Sequence, residues 1–454
     1  MGEAVGGSGR LEGKPPSVVG EIEAFVRGII GELSPAEDRQ GPGARPVLPS
    51  MCLWAGLLVC VLRGFQSQTE LWRLLCVHGL WAYPRFEVGD EAVRKRLAAG
   101  GKELRWLLGE ITQVLSLRLA PYSEEKLAAF ATAVVVLDQT TLDRIARKLA
   151  WMRGKTAELG AVLPGKLACL FDLRLQQWLR VEYIANPLQN EKVLAEEMVK
   201  GLAKGTLILA DLGFFSFKWF DSLTDRKYFW ISRFRAGTSY EVKHTFYQDE
   251  KASDQLIWLG KYRADRARHA VRLVEFLVGG IRFQYITNVI DPKKLPIEEI
   301  AKLYARRWDI EMAFQFIKRE LNLCLLWSAK TEVILQQVWA VLIISQILQA
   351  LRKEIAGRAR VDVFDVSLPL LVRTLPRFAE RGEDPVQAVV ERGRFAKIIR
   401  PSRRVKIQAP QIRNEDLLPL PDGMALTRKP RHAQRKCGPR KKPMAASSGA
   451  ADSG

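Results

Sequence analysis

Two apolar runs constrain the fold of this chain most strongly. Residues 131–137 (ATAVVVL) lead into Asp138, and residues 205–210 (GTLILA) lead into Asp211. Short apolar runs bounded by turn or polar residues are typical of strands that are buried on both faces. Since segments of helical periodicity alternate with these strands, we predict an α/β core in which the two strands end at the two aspartates.

Composition and periodicity divide the rest of the chain. Residues 48–125 repeat apolar positions at helical spacing, and residues 217–290 contain five strand-like stretches, the last of which rejoins the core. Further helices are predicted at about 190–203, from the segment 291–304 through 321, and at 332–355. The predicted domains are a disordered lead-in (1–47), a helical N-terminal domain (48–125), the first part of the core (126–216), a β-rich insertion (217–280), the second part of the core (281–356), a C-terminal region (357–427) and a disordered basic tail (428–454).

The charge of the chain indicates a polyanionic partner. The net charge is +20, and residues 428–442 contain eight basic residues and no acid. With Asp452, the segment 428–454 contributes +7, so +13 remains on the body. A basic body joined to a basic tail is typical of a nucleic-acid-binding protein. A ribosomal or membrane-surface role is harder to reconcile with so large an apolar core.

Several classes of protein are disfavoured by the sequence. The six cysteines and four histidines are scattered and form no CxxC pair, which argues against a disulfide framework, a zinc site and His-dependent nucleophilic catalysis. The longest apolar runs, 51–62 and 338–351, are shorter than the roughly 20 residues of a membrane span. The N-terminus lacks an apolar signal core, so we predict a cytoplasmic protein.

The segment LYARRWDIEMAFQFIKREL, which begins at Leu303, carries a polar row beside an apolar stripe. On a helix, Tyr304, Arg307, Glu311 and Lys318 fall within a sector of about 60°. A polar row at the margin of a buried face suits the wall of a cleft. Read alone, it is also compatible with a surface ion-pair network.

Three carboxylates stand out as candidates for one site. Asp138 and Asp211 follow buried strands, and the carboxyl ends of strands in α/β sheets are where sites collect. An aspartate after an apolar run is often only a cap or a turn residue. Together with Glu311, however, the two aspartates form a set that would need compensating positive charge, and hard oxygen ligands favour two Mg²⁺ or Mn²⁺ ions acting on a phosphodiester.

The spacing Tyr304-x2-Arg307-x3-Glu311-x6-Lys318 resembles the YREK signature of the insertion-sequence-four family of bacterial DDE transposases. LDQTT around Asp138 and ADLGFF around Asp211 resemble the other two motifs of that family. The resemblance covers roughly residues 50–400. It implies an RNase H-like core with Asp138, Asp211 and Glu311 as the catalytic, metal-binding triad. The enzyme would nick the ends of an element and join the freed 3′-hydroxyl to target DNA.

The resemblance also implies where DNA binds. Tyr304, Arg307 and Lys318 would hold the DNA backbone, and Arg233 resembles a basic position of the insertion. Leu212 departs from the family, because many members carry a basic residue there. Relatives can form a hairpin intermediate with an extruded base stacked on an aromatic side chain, for which Trp258 and Trp230 are candidates.

A second DNA contact is expected in the helical N-terminal region. The segment VGDEAVRKRLAAG predicts a short helix with Arg94, Lys95 and Arg96 in its middle, a shape compatible with a DNA groove. The expected partners are double-stranded DNA and a second copy of the chain in a synaptic dimer, in the bacterial cytoplasm near the nucleoid.

Two other functions stay open at this point. An RNase H-like nuclease would use the same three carboxylates to cut DNA without joining it. An inactive relative would keep only DNA binding, although such a chain would be free to lose a carboxylate. The Tyr304–Lys318 row favours transposition over plain cleavage and does not exclude the nuclease.

Overall fold

The computed structural model describes residues 47–80, 83–99, 102–142, 165–186, 188–323, 326–328, 330–379, 383–402 and 407–429. The predicted lead-in, apart from Val47, and the predicted tail beyond Lys429 lie outside these residues. The described chain is a mixed α/β protein, which confirms the predicted class. Its strands are β1 (Val134–Thr141), β2 (Lys166–Asp172), β3 (Gln177–Ile184), β4 (Leu207–Ala210), β5 (Phe229–Arg233), β6 (Tyr240–Gln248), β7 (Ala252–Leu259), β8 (Val271–Val278) and β9 (Ile281–Thr287).

The strands form one sheet in the order β3-β2-β1-β4-β5-β9-β8-β7-β6. β1, β4 and β5 are parallel to one another, whereas β2 runs antiparallel to both β1 and β3. The two apolar runs of the sequence are β1 and β4, which lie next to each other inside the sheet, so their residues Val134–Leu137 and Leu207–Ala210 are buried. The carboxyl ends of the three parallel strands therefore meet at one edge of the sheet.

All five strand-like stretches between 217 and 290 are strands, but the first also belongs to the parallel part of the sheet. β5 pairs in parallel with β4, and β9 pairs antiparallel to β5. Residues Phe217–Asp225 form a helix at the point where the sequence placed the start of the β-rich insertion. β6, β7 and β8 then extend the same sheet, since each finds an antiparallel neighbour. The domain boundaries themselves stay a prediction.

The helices of the described chain cover the sheet. They are α1 (Ser50–Leu62), α2 (Gln68–Trp72), α3 (Asp90–Ala99), α4 (Lys102–Leu119), α5 (Ala195–Met198), α6 (Phe217–Asp225), α7 (Ile297–Arg306), α8 (Trp308–Arg319), α9 (Thr331–Ala359), α10 (Leu368–Ala379) and α11 (Pro385–Arg392). A π-helical turn, Arg73–His78, extends α2. The helical character predicted for 48–125 and for 332–355 is thus confirmed.

The long helix α9 is the central helix of the helical layer. It is long and apolar enough to cross a membrane, yet 94% of its most apolar window is buried inside the protein. Its glutamines bond to neighbouring elements: Gln346 Oε1 accepts the backbone N–H of Trp178 in β3 at 2.9 Å, and Gln346 Nε2 donates to Thr112 Oγ1 of α4 at 2.9 Å. These buried polar contacts join the N-terminal helices to the sheet, because a buried amide must be paired.

Three local predictions were wrong in extent. The long helix expected from 291–304 onwards is two helices, α7 and α8, separated at Arg307, whose backbone N–H bonds to Tyr304 O in a tighter turn. The helix expected at 190–203 is reduced to a 3₁₀ turn at Glu191–Val193 and the short α5. β1 does not end at Asp138, because its pairing with β2 continues to Thr141.

Candidate active site

Two of the three predicted carboxylates lie on neighbouring strands. Leu137 of β1 is paired with Ala210 of β4, so the next residues along these parallel strands, Asp138 and Asp211, lie beside each other. Asp138 is inside β1, and Asp211 directly follows β4. The position of both at the carboxyl edge of the sheet follows from strand direction alone.

Glu311 reaches this edge from α8, and the side chain of Arg307 connects it to the sheet. Arg307 Nη2 donates to Glu311 Oε1 at 2.6 Å, and Arg307 Nη1 lies 3.4 Å from Asp138 Oδ2. Burial lowers the pKa of Arg307, but Tyr304, Asp211 and the other two carboxylates raise it overall. One buried guanidinium thus lies among all three predicted acids.

Tyr304 lies beside Asp211, the acid that Arg307 does not contact directly. Its hydroxyl is 3.3 Å from Ala210 O and 3.5 Å from Asp211 Oδ1. Burial, together with Asp211, raises the pKa of Tyr304 well above its usual value, so the hydroxyl stays protonated and donates. The ring packs against Tyr285 at 4.7 Å between centroids and lies 6.0 Å from the Arg233 guanidinium.

The pKa of the Asp138 carboxyl group is strongly raised. Burial raises its pKa to about 7, while the Gln139 backbone N–H and Arg307 oppose the shift, and Glu311 and Asp211 add to it. Even beside a guanidinium, the charged form of this carboxylate is therefore poorly compensated. A strongly perturbed acid next to two others marks a functional site more often than a structural one.

This pKa predicts how the metal-free protein responds to pH. The pKa of Asp138 is raised from 3.8 to about 7 in the folded state, so folding takes up a proton between these values. The contribution of Asp138 to stability is present below the lower value and is lost by about pH 7. Relative to Asp138→Asn, which does not titrate, the free energy of unfolding should fall by about 1.4 kcal/mol per pH unit across the window. Urea unfolding of both proteins at several pH values in chelator measures the difference, and a constant difference would contradict it.

The break between α7 and α8 is held by a buried charge network. Arg306 Nε donates to Asp309 Oδ2 at 2.6 Å, and Arg306 Nη1 donates to Glu124 Oε2 at 2.6 Å. Glu124 also pairs with Lys353 Nζ of α9 at 2.7 Å, and Asp309 accepts from Gln176 Nε2 at 3.1 Å. The helix junction is therefore tied to α9 and to the turn between β2 and β3. Since Arg307 is the next residue, the network positions its guanidinium.

The residues predicted to contact DNA near the carboxylates differ in their exposure and in their partners. Lys318 is partly exposed, and its Nζ donates to Thr140 Oγ1 of β1 at 2.6 Å. Tyr304 and Arg307 are buried at the margin of the core, so the alternative of a solvated surface ion-pair network does not describe them. The reason is electrostatic, because the partly buried carboxylates draw the available donors to themselves. Arg233 is exposed beside Tyr304.

The basic residues of α3 differ from one another. Lys95 is exposed, and Arg94 is exposed but paired with Asp90 at 3.0 Å. Arg96 turns inward and donates to Leu48 O at 3.2 Å and to Ser50 Oγ at 2.9 Å. Arg96 therefore ties α3 to the start of α1, and its part in DNA binding stays a prediction along with those of the other two.

The two tryptophans considered for base stacking are buried. Trp230 is stacked on Phe220 at 4.2 Å, and Trp258 lies under the guanidinium of Arg428 at 4.6 Å. Beside the carboxylates, however, lies a cleft of about 1290 Å³ whose aromatic lining includes Phe283, Tyr285, Tyr304 and the exposed Trp308. Sequence reasoning missed this cleft, because strand and helix contribute its aromatics from separate parts of the chain.

The three carboxylates of the site are ligands of the type that binds a divalent metal ion. Within the described ranges, no three His, Cys, Asp or Glu side chains are arranged to hold an ion, and the Arg307 guanidinium contacts two of the three acids. Carboxylate oxygens are nevertheless the ligands that Mg²⁺ and Mn²⁺ prefer. The raised pKa of Asp138 indicates a charge that Arg307 offsets only in part. The three acids therefore suit such an ion, provided that Arg307 turns away from them.

Comparison with known proteins shows that this part of the chain is similar to transposases. The family model "Transposase DDE domain" matches residues 132–347, a range that contains Asp138, Asp211 and Glu311. A relative, the transposase InsG for insertion sequence element IS4 of Escherichia coli (strain K12), is 25% identical over 189 residues, which are 39% of this chain and 42% of the relative. The aligned part thus spans less than half the length of that relative.

A more distant likeness is to the structure titled "Cryo-EM structure of piggyBac transposase synaptic complex with hairpin DNA", with 11% identity and a TM-score of 0.34 over 88% of this chain and 85% of that one. The family model and the Escherichia coli relative confirm the recognition made from the motifs. Residues 132–347 are thus similar to a transposase DDE domain, and the similar relative is a transposase of an IS4 element.

Proposed function

We propose that the protein is the transposase of an insertion sequence, which cuts DNA at the ends of the element and joins the freed 3′-hydroxyl to target DNA. One observation carries the proposal: Asp138 and Asp211, from neighbouring parallel strands, lie with Glu311 around a single guanidinium. These acids are far apart in the chain and share no structural need to meet. A common chemical task accounts for their meeting.

The strands β1 to β5, with α7, α8 and α9 on one face, form the proposed RNase H-like core. The support is that the parallel strands β1, β4 and β5 present Asp138, Asp211 and Arg233 at their carboxyl ends. The strands β6 to β8 correspond to the proposed insertion. The helices of 48–125 are the proposed N-terminal DNA-binding domain, with Lys95 as an exposed candidate contact.

Asp138, Asp211 and Glu311 would hold the divalent ions, Mg²⁺ or Mn²⁺. Bound there, the ions would activate the attacking oxygen and stabilise the leaving one. Arg307, released from Asp138 and Glu311, would be free to bind a phosphate, for which its planar fork is suited. The protonated Tyr304 hydroxyl would keep the Asp211 carboxylate oriented. Lys318 would contact the DNA backbone beside Thr140.

A strand-joining assay tests this function. The full chain is incubated with Mg²⁺, a DNA fragment that ends in the inverted repeats flanking its gene, and a supercoiled target plasmid. We expect cleavage at the repeat ends and covalent joining of the 3′ ends to the plasmid, with neither product in chelator. Cleavage without joined product would favour the nuclease. Binding of the ends without either reaction would favour the inactive relative.

The substrate and assembly follow from the same proposal. The partners would be the two element ends and the target, all double-stranded DNA, held by a dimer of the chain in the synaptic complex. Such a protein would act at the bacterial nucleoid.

A further inference from the structure

A set of cations on the side of the sheet that carries α6 takes no part in the proposed catalysis. Arg235 follows β5, and Lys261, Arg263 and Arg266 lie in the loop between β7 and β8. Arg235, Lys261 and Arg263 are exposed, and Arg266 is partly exposed. We call Arg235, Lys261, Arg263 and Arg266 the outer basic row.

The row begins at the catalytic edge. Arg235 Nη2 donates to the backbone carbonyl of Leu212 at 2.9 Å, so its guanidinium lies at the residue directly after Asp211. The same guanidinium is 5.0 Å from the centroid of the Phe215 ring. Leu212 itself offers no charge to a phosphate, and Arg235 places one at that position from the carboxyl end of the neighbouring strand β5.

The row continues over the rings of two neighbouring phenylalanines, Phe215 and Phe217. Phe215 packs edge-on against Phe217 at 5.9 Å between centroids, and the Arg263 guanidinium is 5.4 Å from the Phe217 ring. Gly260 lies between the Phe217 ring and the backbone of Arg266, so the loop between β7 and β8 packs closely against Phe217. Stacking on an aromatic face leaves the N–H edges of an arginine free to bind phosphate.

The row ends where the basic tail of the sequence begins. Residues 417–429 return along the sheet as a strap: Leu418 N bonds to Phe246 O, and Arg428 N bonds to Arg268 O. Arg266 Nη2 donates to Lys429 O at 3.1 Å. The sequence then continues from Lys429 directly into the basic residues of 431–442. The last described residue, Lys429, therefore lies at the far end of the row.

Much of the charge of the row is not neutralised. In the described part of the chain, Arg235, Lys261 and Arg266 take part in no ion pair with a carboxylate, whereas Arg263 pairs with Asp265 at 2.7 Å. Beside them Tyr262 is 76% exposed. Three unpaired cations next to an exposed aromatic ring match the phosphate and sugar surface of DNA.

We infer that the outer basic row is a second duplex-binding surface, on which the phosphate backbone of DNA runs from the carboxylates at Asp211 to the strap at Lys429. This inference rests on the proposed function for the identity of the polyanion. It assigns the row to double-stranded DNA beyond the segment being cut, held by phosphate contacts without base readout.

The test compares two variants with equal charge loss. R235Q/K261Q/R266Q removes the unpaired cations of the row, and K126Q/K204Q/K302Q removes three exposed lysines elsewhere. Affinity for a duplex is measured in chelator over a range of salt concentrations. Each lost phosphate contact reduces the slope of log K against log salt by about 0.9, so the row variant should lose about 2 to 3 and the control less than about 1.

A third variant separates charge from structure. R235K with the other two positions intact should keep the slope, because it keeps the charge, and thermal unfolding should be similar for all four proteins. Equal slopes for the row variant and the control would overturn the inference. So would a row variant that loses binding to anionic lipid vesicles while keeping its duplex slope. Binding in chelator is independent of catalysis, so a chain that neither cuts nor joins DNA could still pass, and an active transposase could still fail.

Discussion

Asp138→Asn is expected to reduce Mg²⁺-dependent cleavage of element ends by about 10³-fold or more, because a neutral amide supplies no anionic ligand and several kcal/mol of transition-state stabilisation depend on the ions. Binding of the ends should be nearly unchanged. The side chain lies between Arg307 and the Gln139 backbone N–H, so asparagine fits the same space. Rates of nicking on a labelled end fragment measure the effect.

A matched variant shows whether the loss is specific to the site. Asp291→Asn also removes one carboxylate, but from an exposed loop where the side chain only accepts the backbone N–H of Lys293. Its cleavage rate should equal that of the unchanged protein. Glu311→Gln should behave like Asp138→Asn. Substantial cleavage by either site variant would show that the assigned triad is wrong.

Asp309→Ala is expected to have the largest effect on stability. Asp309 is 2% exposed and accepts from Arg306 and Gln176. Its removal leaves the Arg306 guanidinium buried without one of its two acids, and breaking a buried pair in this way costs about 3–5 kcal/mol. Denaturant unfolding measures the loss. Cleavage should also fall, because Arg306 holds the helix junction that positions Arg307.

The corresponding double variant separates the charge from the packing. Asp309→Leu with Arg306→Met removes both partners and leaves no unpaired charge between them, so it should cost less than Asp309→Ala. Glu124 retains Lys353 in that protein. A single variant that unfolds with a loss under about 1 kcal/mol would mean that the junction does not depend on this pair.

Much of the fold was predictable because it depends on local patterns. The runs ending near Asp138 and Asp211 are strands, and all five stretches of 217–290 are strands, since alternating or continuous apolar residues bounded by turns leave few alternatives. The helix predicted around Arg94 is α3. The errors lie at boundaries: the helix expected at 190–203 is short, and the helix through Arg307 is broken, because tertiary contacts override helical propensity there.

Within the candidate site, the sequence was informative about residue types and less so about surroundings. It indicated Asp138, Asp211 and Glu311 as a set, and the structure brings all three to one guanidinium. It placed Tyr304 and Arg307 in a polar row at the margin of a buried face and left a surface ion-pair network open, and both side chains are buried against the carboxylates. A helical wheel describes directions around one axis and carries no information about which neighbour covers them.

By itself, the amino-acid sequence determined which segments are strands and helices and where the acids stand on them, because hydrophobic period and turn chemistry act over a few residues. Only the tertiary structure decided that Arg307 lies among the acids, that Arg306 is locked to Glu124, and that Arg235 reaches Leu212. Each of these depends on the packing of separate elements around one core. Burial and charge balance are properties of that packing, so no local stretch of the chain contains them.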